Sequence, residues 1–271
     1  MPLGELIRYF NAAVSDGDST LYDQGGYIAA WHDGLHLGSL FEPIVDLRNE
    51  RIVGHQASLA ARHDDGRTVS EEDAYARSAT PATIVPFDRL VRTLHTLNFL
   101  AQSRHAGGFL LLPVHARHLR AVNSQHGLVF EAILKRCGLA PEDIVLELDH
   151  CQLAGCAHLA AALDSYRQRG YRLALCGIES PLAAMQALQL APDIIRLPDG
   201  ATDESVALLR QGRATLLQSG IASRRQYESA RNATVELGQG ALFGEPQADC
   251  RATHSSNRVA YNSQLSIGAS R

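Results

Sequence analysis

Short apolar runs separated by amphipathic segments repeat along most of the chain. Two strand-like runs come first, SLFEPIVDL and RIVGHQASLAA, and the RNE between them is typical of a hairpin. Six further apolar runs follow: GGFLLLPVH, DIVLELDH, RLALCG, DIIRLP, ATLLQSG and ATVELGQGALF. Most of them lack the period of two that marks a half-exposed strand. This favours strands of a parallel sheet that is covered on both faces.

Helical patterns separate these runs and predict a helix before each of them. The predicted helices cover residues 86–105, 117–137, 153–169, 181–190, 202–211 and 223–231. Strands alternating with helices indicate the α/β class, and eight strands in a chain of this length predict closure into a TIM-like (β/α)8 barrel. The opening hairpin makes this barrel irregular, because its first strand is antiparallel.

The predicted barrel occupies residues 38–248, and two segments flank it. Residues 1–37 form an N-terminal extension that is either packed on the barrel or loosely ordered. Residues 249–271 contain few bulky apolar side chains and are predicted to be a disordered tail.

Composition excludes several classes of protein. A formal net charge of −4 gives no electrostatic argument for direct binding of nucleic acid or an anionic membrane. No apolar run approaches the roughly 20 residues that span a bilayer, and the first residues lack the order of a secretory signal, so we expect a cytoplasmic protein. The five cysteines include no Cys-x-x-Cys pair, which argues against a disulfide framework or a structural zinc site.

In a barrel of this kind, the carboxyl ends of the strands carry the functional side chains. The sequence places one carboxylate and mostly neutral groups there. These candidate positions are Gln56, His115, Glu147, Cys176, Gly177, Arg196, Ser219 and Gln239. One carboxylate is a poor ligand set for divalent cations, which prefer several oxygen ligands.

The order of the motifs resembles the EAL family, the bacterial phosphodiesterases that linearise cyclic di-GMP with two divalent metals in a (β/α) barrel. FEPIVDL and the following GHQASLAAR are similar to the family's F-Q-P-I-V-D-L and G-x-E-A-L-L-R. LLPVHAR, LELDH, LALCGIESPLAAM, APDIIRLP, LLQSGIAS and LGQGALFGEP stand where the family has V-N-L-S, L-E-I-T-E, L-D-D-F-G-T-G-Y-S-S-L, A-D-x-I-K-I-D, A-E-G-V-E-T and G-Q-G-Y-L-F-S-x-P. The resemblance covers residues 40–246.

The same resemblance implies that the catalytic motifs are lost. Glu147 and Gln239 match the family, whereas Gln56, His115 and Ser219 stand at positions of its Glu, Asn and Glu. Cys176 and Gly177 stand where the family has its metal-binding Asp pair. Arg196 replaces the family's Lys and cannot act as a base, because a guanidinium stays protonated. The single lysine of the chain, Lys135, lies in a helical segment.

We therefore expect a catalytically inactive, degenerate EAL-like protein that needs no cofactor and serves as a regulatory scaffold for a protein partner. The alternative is a cyclic di-GMP receptor that binds without hydrolysis through Glu147, Gln239 and Arg62. Two substitutions oppose it: Ala60 stands at the family's phosphate-binding Arg, and Glu42 adds negative charge.

Two further interpretations concern the strand ends. His115, Glu147 and Cys176 could form a zinc site if they meet. A buried Arg196 needs a partner, and Glu147 is the candidate for an ion pair. His115 and His118 are expected to cap a helix or to face solvent.

Overall fold

The computed structural model describes residues 3–13, 19–102, 108–198 and 203–250. The helices are α1 (Leu3–Ala13), α2 (Glu71–Arg77), α3 (Pro81–Ala101), α4 (Ala116–Ala121), α5 (Leu128–Cys137), α6 (Leu159–Gln168), α7 (Pro181–Gln189), α8 (Asp203–Leu209) and α9 (Arg224–Asn232). The strands are β1 (Ser19–Gln24), β2 (Tyr27–His32), β3 (Leu35–Asp46), β4 (Arg51–Arg62), β5 (Thr68–Val69), β6 (Phe109–Pro113), β7 (Ile144–Asp149), β8 (Arg172–Cys176), β9 (Ile194–Leu197), β10 (Thr215–Gln218) and β11 (Leu237–Gly238). Two 3-10 turns flank β7 (Pro141–Asp143 and His150–Gln152).

Eight strands close into a barrel. The order runs β3, β11, β10, β9, β8, β7, β6, β4, and β4 pairs again with β3. Neighbouring strands from β4 through β6 to β11 are parallel, while β3 is antiparallel to both of its neighbours. This arrangement confirms the predicted irregular (β/α)8 barrel with an antiparallel first strand.

Two apolar layers hold the barrel together. Inside it, side chains from alternate strand positions fill the centre, including Ile44, Leu111, Val145 and Leu217. Outside it, the opposite faces of the strands pack on the surrounding helices in a second, larger cluster. Burial on both faces explains why these strands read as continuous apolar runs.

The described part of the N-terminal extension packs on the barrel, so the first of the two alternatives, packed or loosely ordered, is confirmed. β2 pairs antiparallel with the start of β3, and β1 pairs antiparallel with β2, so both continue the sheet. β3 itself begins at Leu35, before the predicted boundary at residue 37. Ile28 of β2 is buried, and the Asn98 side chain of α3 bonds both its N–H and its carbonyl oxygen at 2.8 Å. The extension therefore shares a core with α3.

The predicted tail lies mostly outside the described residues, which end at position 250. Its first two residues are held: the Tyr27 hydroxyl donates to Asp249 Oδ1 at 2.7 Å, and the Cys250 N–H donates to Gln102 Oε1. Within the described ranges, none of the helices combines the length and the apolar character that crossing a membrane requires.

Several predicted helix bounds are wrong, for local reasons. The helix predicted over 117–137 is two helices, α4 and α5, because the segment between them ends at Gly127, whose φ of +82° is not helical. The helix predicted from residue 86 is α3, which begins earlier, at Pro81, where Thr80 and Thr83 form a capping box. The helix predicted from Leu153 begins at Leu159.

Candidate functional site

An ion pair occupies the carboxyl end of the barrel. Glu147 lies on β7, and Arg196 lies two strands away on β9. Arg196 Nε is 2.8 Å from Glu147 Oε1, and the two side chains are 18% and 6% exposed. The predicted pairing of these two residues is therefore confirmed, and the charge of the one predicted strand-end carboxylate is partly neutralised.

A chain of amide contacts extends from this pair to the antiparallel strand. Gln56 Nε2 lies 3.4 Å from the second oxygen of Glu147. Gln239 Nε2 donates to Gln56 Oε1 at 2.7 Å and to Glu42 Oε2 at 2.8 Å. Glu42 and Gln56 are direct cross-strand partners. Glu42 is thus a member of the site that the list of strand-end candidates missed, because it lies on the antiparallel strand.

The environment of Glu147 favours the neutral form more than water does, despite the nearby arginine. Burial raises the pKa of Glu147, the Arg196 guanidinium lowers it, and Asp149 raises it again, with a net increase. The desolvation of a carboxylate in this position therefore outweighs the attraction of its partner.

Cys176 and Gly177 end β8 in a tight contact with the neighbouring loop. Burial first, and Glu147 second, raise the pKa of the Cys176 thiol strongly, so its sulfur stays protonated. Gly177 has φ +68°, and a Cβ at this position would lie 2.3 Å from Asp149 Oδ1. Asp149 is fixed there by the N–H of Cys151 at 2.9 Å and by the Gln152 amide. A side chain at residue 177 has no room.

His115 is directed to a helix and not into the ion pair. Its Nδ1 accepts the Arg117 N–H at 3.1 Å, and its ring stacks on Tyr75 with centroids 4.6 Å apart. The expectation of a capping role is confirmed for His115. For His118 the expectation of a capping or solvent-facing role is wrong, because its side chain is buried at 4% exposure and its ring lies 3.2 Å from the Asp88 carboxylate.

The remaining candidates divide between the mouth and its surroundings. Gln239 contacts the cluster, while Ser219 Oγ is buried with no hydrogen bond to the described residues. Arg62 ends β4, is exposed, and lies six residues beyond Gln56, or roughly 20 Å along the strand. Among residues 3–13, 19–102, 108–198 and 203–250, no three His, Cys, Asp or Glu side chains form a group that could hold a metal ion.

A buried polar network behind His115 was not predicted. Asp88 of α3 accepts the His115 N–H at 3.1 Å and pairs with Arg92 Nη2 at 2.7 Å. The Tyr75 hydroxyl and the His118 ring also contact this carboxylate, at 3.3 and 3.2 Å. The signal in the sequence is an Asp and an Arg spaced i, i+4 within an otherwise apolar helical segment.

Three solved structures of similar fold share 16–17% sequence identity with this chain. The EAL domain of FimX from Pseudomonas aeruginosa, bound to cyclic di-GMP, is 16% identical with a TM-score of 0.67, covering 80% of this chain and 93% of that one. A standalone EAL protein from Vibrio cholerae O395 in its cyclic di-GMP-bound form is 17% identical with a TM-score of 0.64, covering 81% and 96%. BlrP1 from Klebsiella pneumoniae, in a manganese and cyclic di-GMP complex, is 16% identical with a TM-score of 0.70, covering 88% and 61%.

No curated protein matches this sequence. The EAL domain family matches residues 30–246, which include β3, β4 and every later strand and helix of the barrel. The match also begins within β2, so it includes part of the packed extension. On this match over most of its length, the chain belongs to the EAL domain family.

Proposed function

We propose that this EAL domain is catalytically inactive and acts in the bacterial cytoplasm as a regulatory scaffold that binds another protein. The observation that carries the proposal is the Arg196–Glu147 ion pair at the carboxyl end of the barrel. An arginine in this position directs a permanent positive charge at the carboxylate that a divalent cation would need.

The other donors do not fit a pair of divalent cations either. Gln56 supplies a neutral amide whose oxygen already accepts from Gln239, and His115 is engaged by α4. The thiol of Cys176 stays protonated, and Gly177 brings no ligand. Two dications require the negative charge of several carboxylates to offset the loss of their water, so the residues at this mouth do not fit the metals of the family's phosphodiesterases.

An exposed apolar pair beside the mouth supports a protein partner. Leu182 and Met185 lie three residues apart on α7, the helix after β8, and remain 65% and 54% exposed. Residues at this spacing share one face of a helix, and methionine adapts to varied partner surfaces. We assign the partner contact to this face of α7.

The second candidate is a cyclic di-GMP receptor that does not hydrolyse its ligand. It is favoured by the structural neighbours from P. aeruginosa and V. cholerae, which were solved with cyclic di-GMP bound. Glu147 and Gln239 would then contact the nucleotide, while Arg62 is exposed at the far end of β4. Against this candidate, Glu42 and Glu147 present two carboxyl groups to a ligand that carries two negative charges.

The test is calorimetric titration with cyclic di-GMP in magnesium or manganese and again in EDTA, together with chromatography for the linear product. We expect neither heat nor product. Micromolar binding that persists in EDTA and is lost in E147A would establish the receptor, and metal-dependent formation of linear product would establish an enzyme.

The scaffold itself is tested by cross-linked co-purification from native cells, comparing L182D/M185D with E147A. We expect a specific partner that is recovered with the wild type and E147A and lost with L182D/M185D. Loss of the partner with E147A but not with the α7 variant would contradict the scaffold.

A further inference from the structure

A cavity lies at the opposite end of the barrel from the ion pair. It has a volume of about 870 Å³ and opens where the parallel strands begin. Its apolar wall includes Val53, Phe109 and Leu237, from the first residues of β4, β6 and β11. Arg172 and Arg213 also line it. A cavity of this size and lining is typical of small-molecule sites.

Arg172 is directed to this cavity from the first position of β8. Ala174, two residues on and therefore on the same face of the strand, belongs to the cluster that fills the barrel. The guanidinium carbon of Arg172 lies 4.9 Å from the centroid of the Phe109 ring. Its Nε is buried and makes no hydrogen bond to any residue that the structure describes.

The two arginines of the cavity contrast with Arg196 at the other end. Arg196 has Glu147 within 2.8 Å, whereas neither Arg172 nor Arg213 lies within 4.0 Å of a carboxylate among the described residues. Asp193 also lines the cavity, but its Oδ2 accepts the Leu173 N–H at 2.7 Å. The cavity therefore carries two guanidinium groups and one carboxylate that is already engaged.

We propose that this cavity binds a small organic anion, in which a carboxylate or phosphate is attached to an apolar ring. The oxyanion would bind between Arg172 and Arg213, since a guanidinium offers paired N–H donors that match a carboxylate or phosphate. The ring would lie against Phe109, Val53 and Leu237. The bound anion would supply a hydrogen-bond acceptor for Arg172 Nε and a countercharge, neither of which the described residues provide.

The experiment titrates the full chain with three naphthalene compounds that share one ring system, followed by calorimetry or naphthalene fluorescence. 1-Naphthyl phosphate and 1-naphthoate carry the two oxyanions, and 1-naphthol is the neutral control. R172Q and R213Q remove one guanidinium each. R225Q is the matched control, because Arg225 is exposed on α9, which follows the opposite end of β10.

We expect saturable binding of at least one anion, weakened about tenfold in R172Q and by a smaller factor in R213Q, with no change in R225Q. The tighter of the two anions identifies the oxyanion that the site prefers. 1-Naphthol should bind at least about tenfold more weakly than that anion.

Three results would overturn the proposal: no saturable binding of either anion at millimolar concentration, equal binding of 1-naphthol, or unchanged affinity in R172Q and R213Q. Circular dichroism shows whether R172Q folds. If it does not, R213Q decides the question by itself, because its side chain is exposed and its removal leaves the core intact.

Discussion

Arg196 and Glu147 place opposite charges at a depth where neither would be stable alone. The structure buries Glu147 almost completely and Arg196 to a large extent, and it brings their charged groups within 2.8 Å. The raised pKa of Glu147 indicates that the penalty for desolvating its carboxylate exceeds the stabilisation by Arg196. We therefore expect each buried charge to depend on the other, because removing one leaves the remaining charge without compensation.

Removing one member should consequently cost more than removing both. E147A leaves the Arg196 guanidinium buried without its partner, and we expect it to lower the free energy of unfolding by about 3 kcal/mol. E147M/R196M replaces both charges with apolar groups, and we expect it to lie within about 1 kcal/mol of the wild type. Urea unfolding of the single and double variants measures this difference. A double variant less stable than E147A would contradict the account.

Residue identity alone predicted some of these contacts but not others. An arginine within the apolar run DIIRLP needs a countercharge, and Glu147 is the one carboxylate among the predicted strand ends, so the pair followed from the sequence. The role of Gly177 could not be predicted from the sequence. Its φ of +68° and the carboxylate of Asp149 in the space of its missing side chain exist only because the loop after β7 folds over the end of β8.

At the scale of elements, α3 and α4 are joined by buried polar groups as well as by apolar packing. Asp88 and Arg92 of α3 and His118 of α4 form one contact group. Burial lowers the pKa of His118 to about 3, with Asp88 opposing this and Arg92 reinforcing it. Arg92 Nη2 points at His118 Nε2 from 3.4 Å, and because an arginine can only donate, that nitrogen carries no proton.

Because the pKa of His118 is lowered in the folded protein, we expect the protein to lose stability in mild acid. Unfolded His118 takes up a proton as the pH falls through 6.5, whereas the folded protein holds it neutral until about 3. Between these values the unfolded state binds more protons, so the free energy of unfolding falls with decreasing pH, by up to about 1.4 kcal/mol per pH unit for this residue. H118Q keeps an acceptor for Arg92 and should flatten the slope.

The measurement is urea unfolding at a series of pH values from 7 to 4. L119M changes an adjacent buried residue without a titrating group, and its curve should run parallel to that of the wild type. His95, whose pKa burial also lowers to about 3, contributes to the same window and remains in H118Q, so the slope should decrease without vanishing. An unchanged slope in H118Q would disprove the assignment.

At the scale of the whole molecule, the extension and the barrel form one continuous sheet and share α3. Leu6, Phe10, Leu21 and Ile28 are buried against that helix in a single cluster. Ile133 of α5 packs against this cluster and against the main barrel cluster. Because the extension and the barrel share a helix and a continuous sheet, we expect them to unfold in one transition.

The test uses Trp31, the single tryptophan, which lies on β2 of the extension. I28A should lower stability by about 2–4 kcal/mol because Ile28 is 1% exposed, while L182A at the 65% exposed Leu182 should change it by less than about 0.5 kcal/mol. Tryptophan fluorescence and far-UV circular dichroism should give coincident urea transitions in all three proteins. Earlier loss of the Trp31 signal would show that the extension unfolds separately.

The sequence by itself determined the barrel, the antiparallel first strand and the order of the strand-end positions. It could do so because burial on both faces gives apolar runs, and the amphipathic segments between them repeat. Only the tertiary structure decided which of these positions meet. It directed His115 to α4 and Tyr75, and it joined Gln239 to Glu42 across β11 and β3. It also left Arg172, at the far end of the barrel, with no carboxylate within 4.0 Å among the residues that the structure describes. Such contacts depend on how strands and loops approach one another and not on any local pattern.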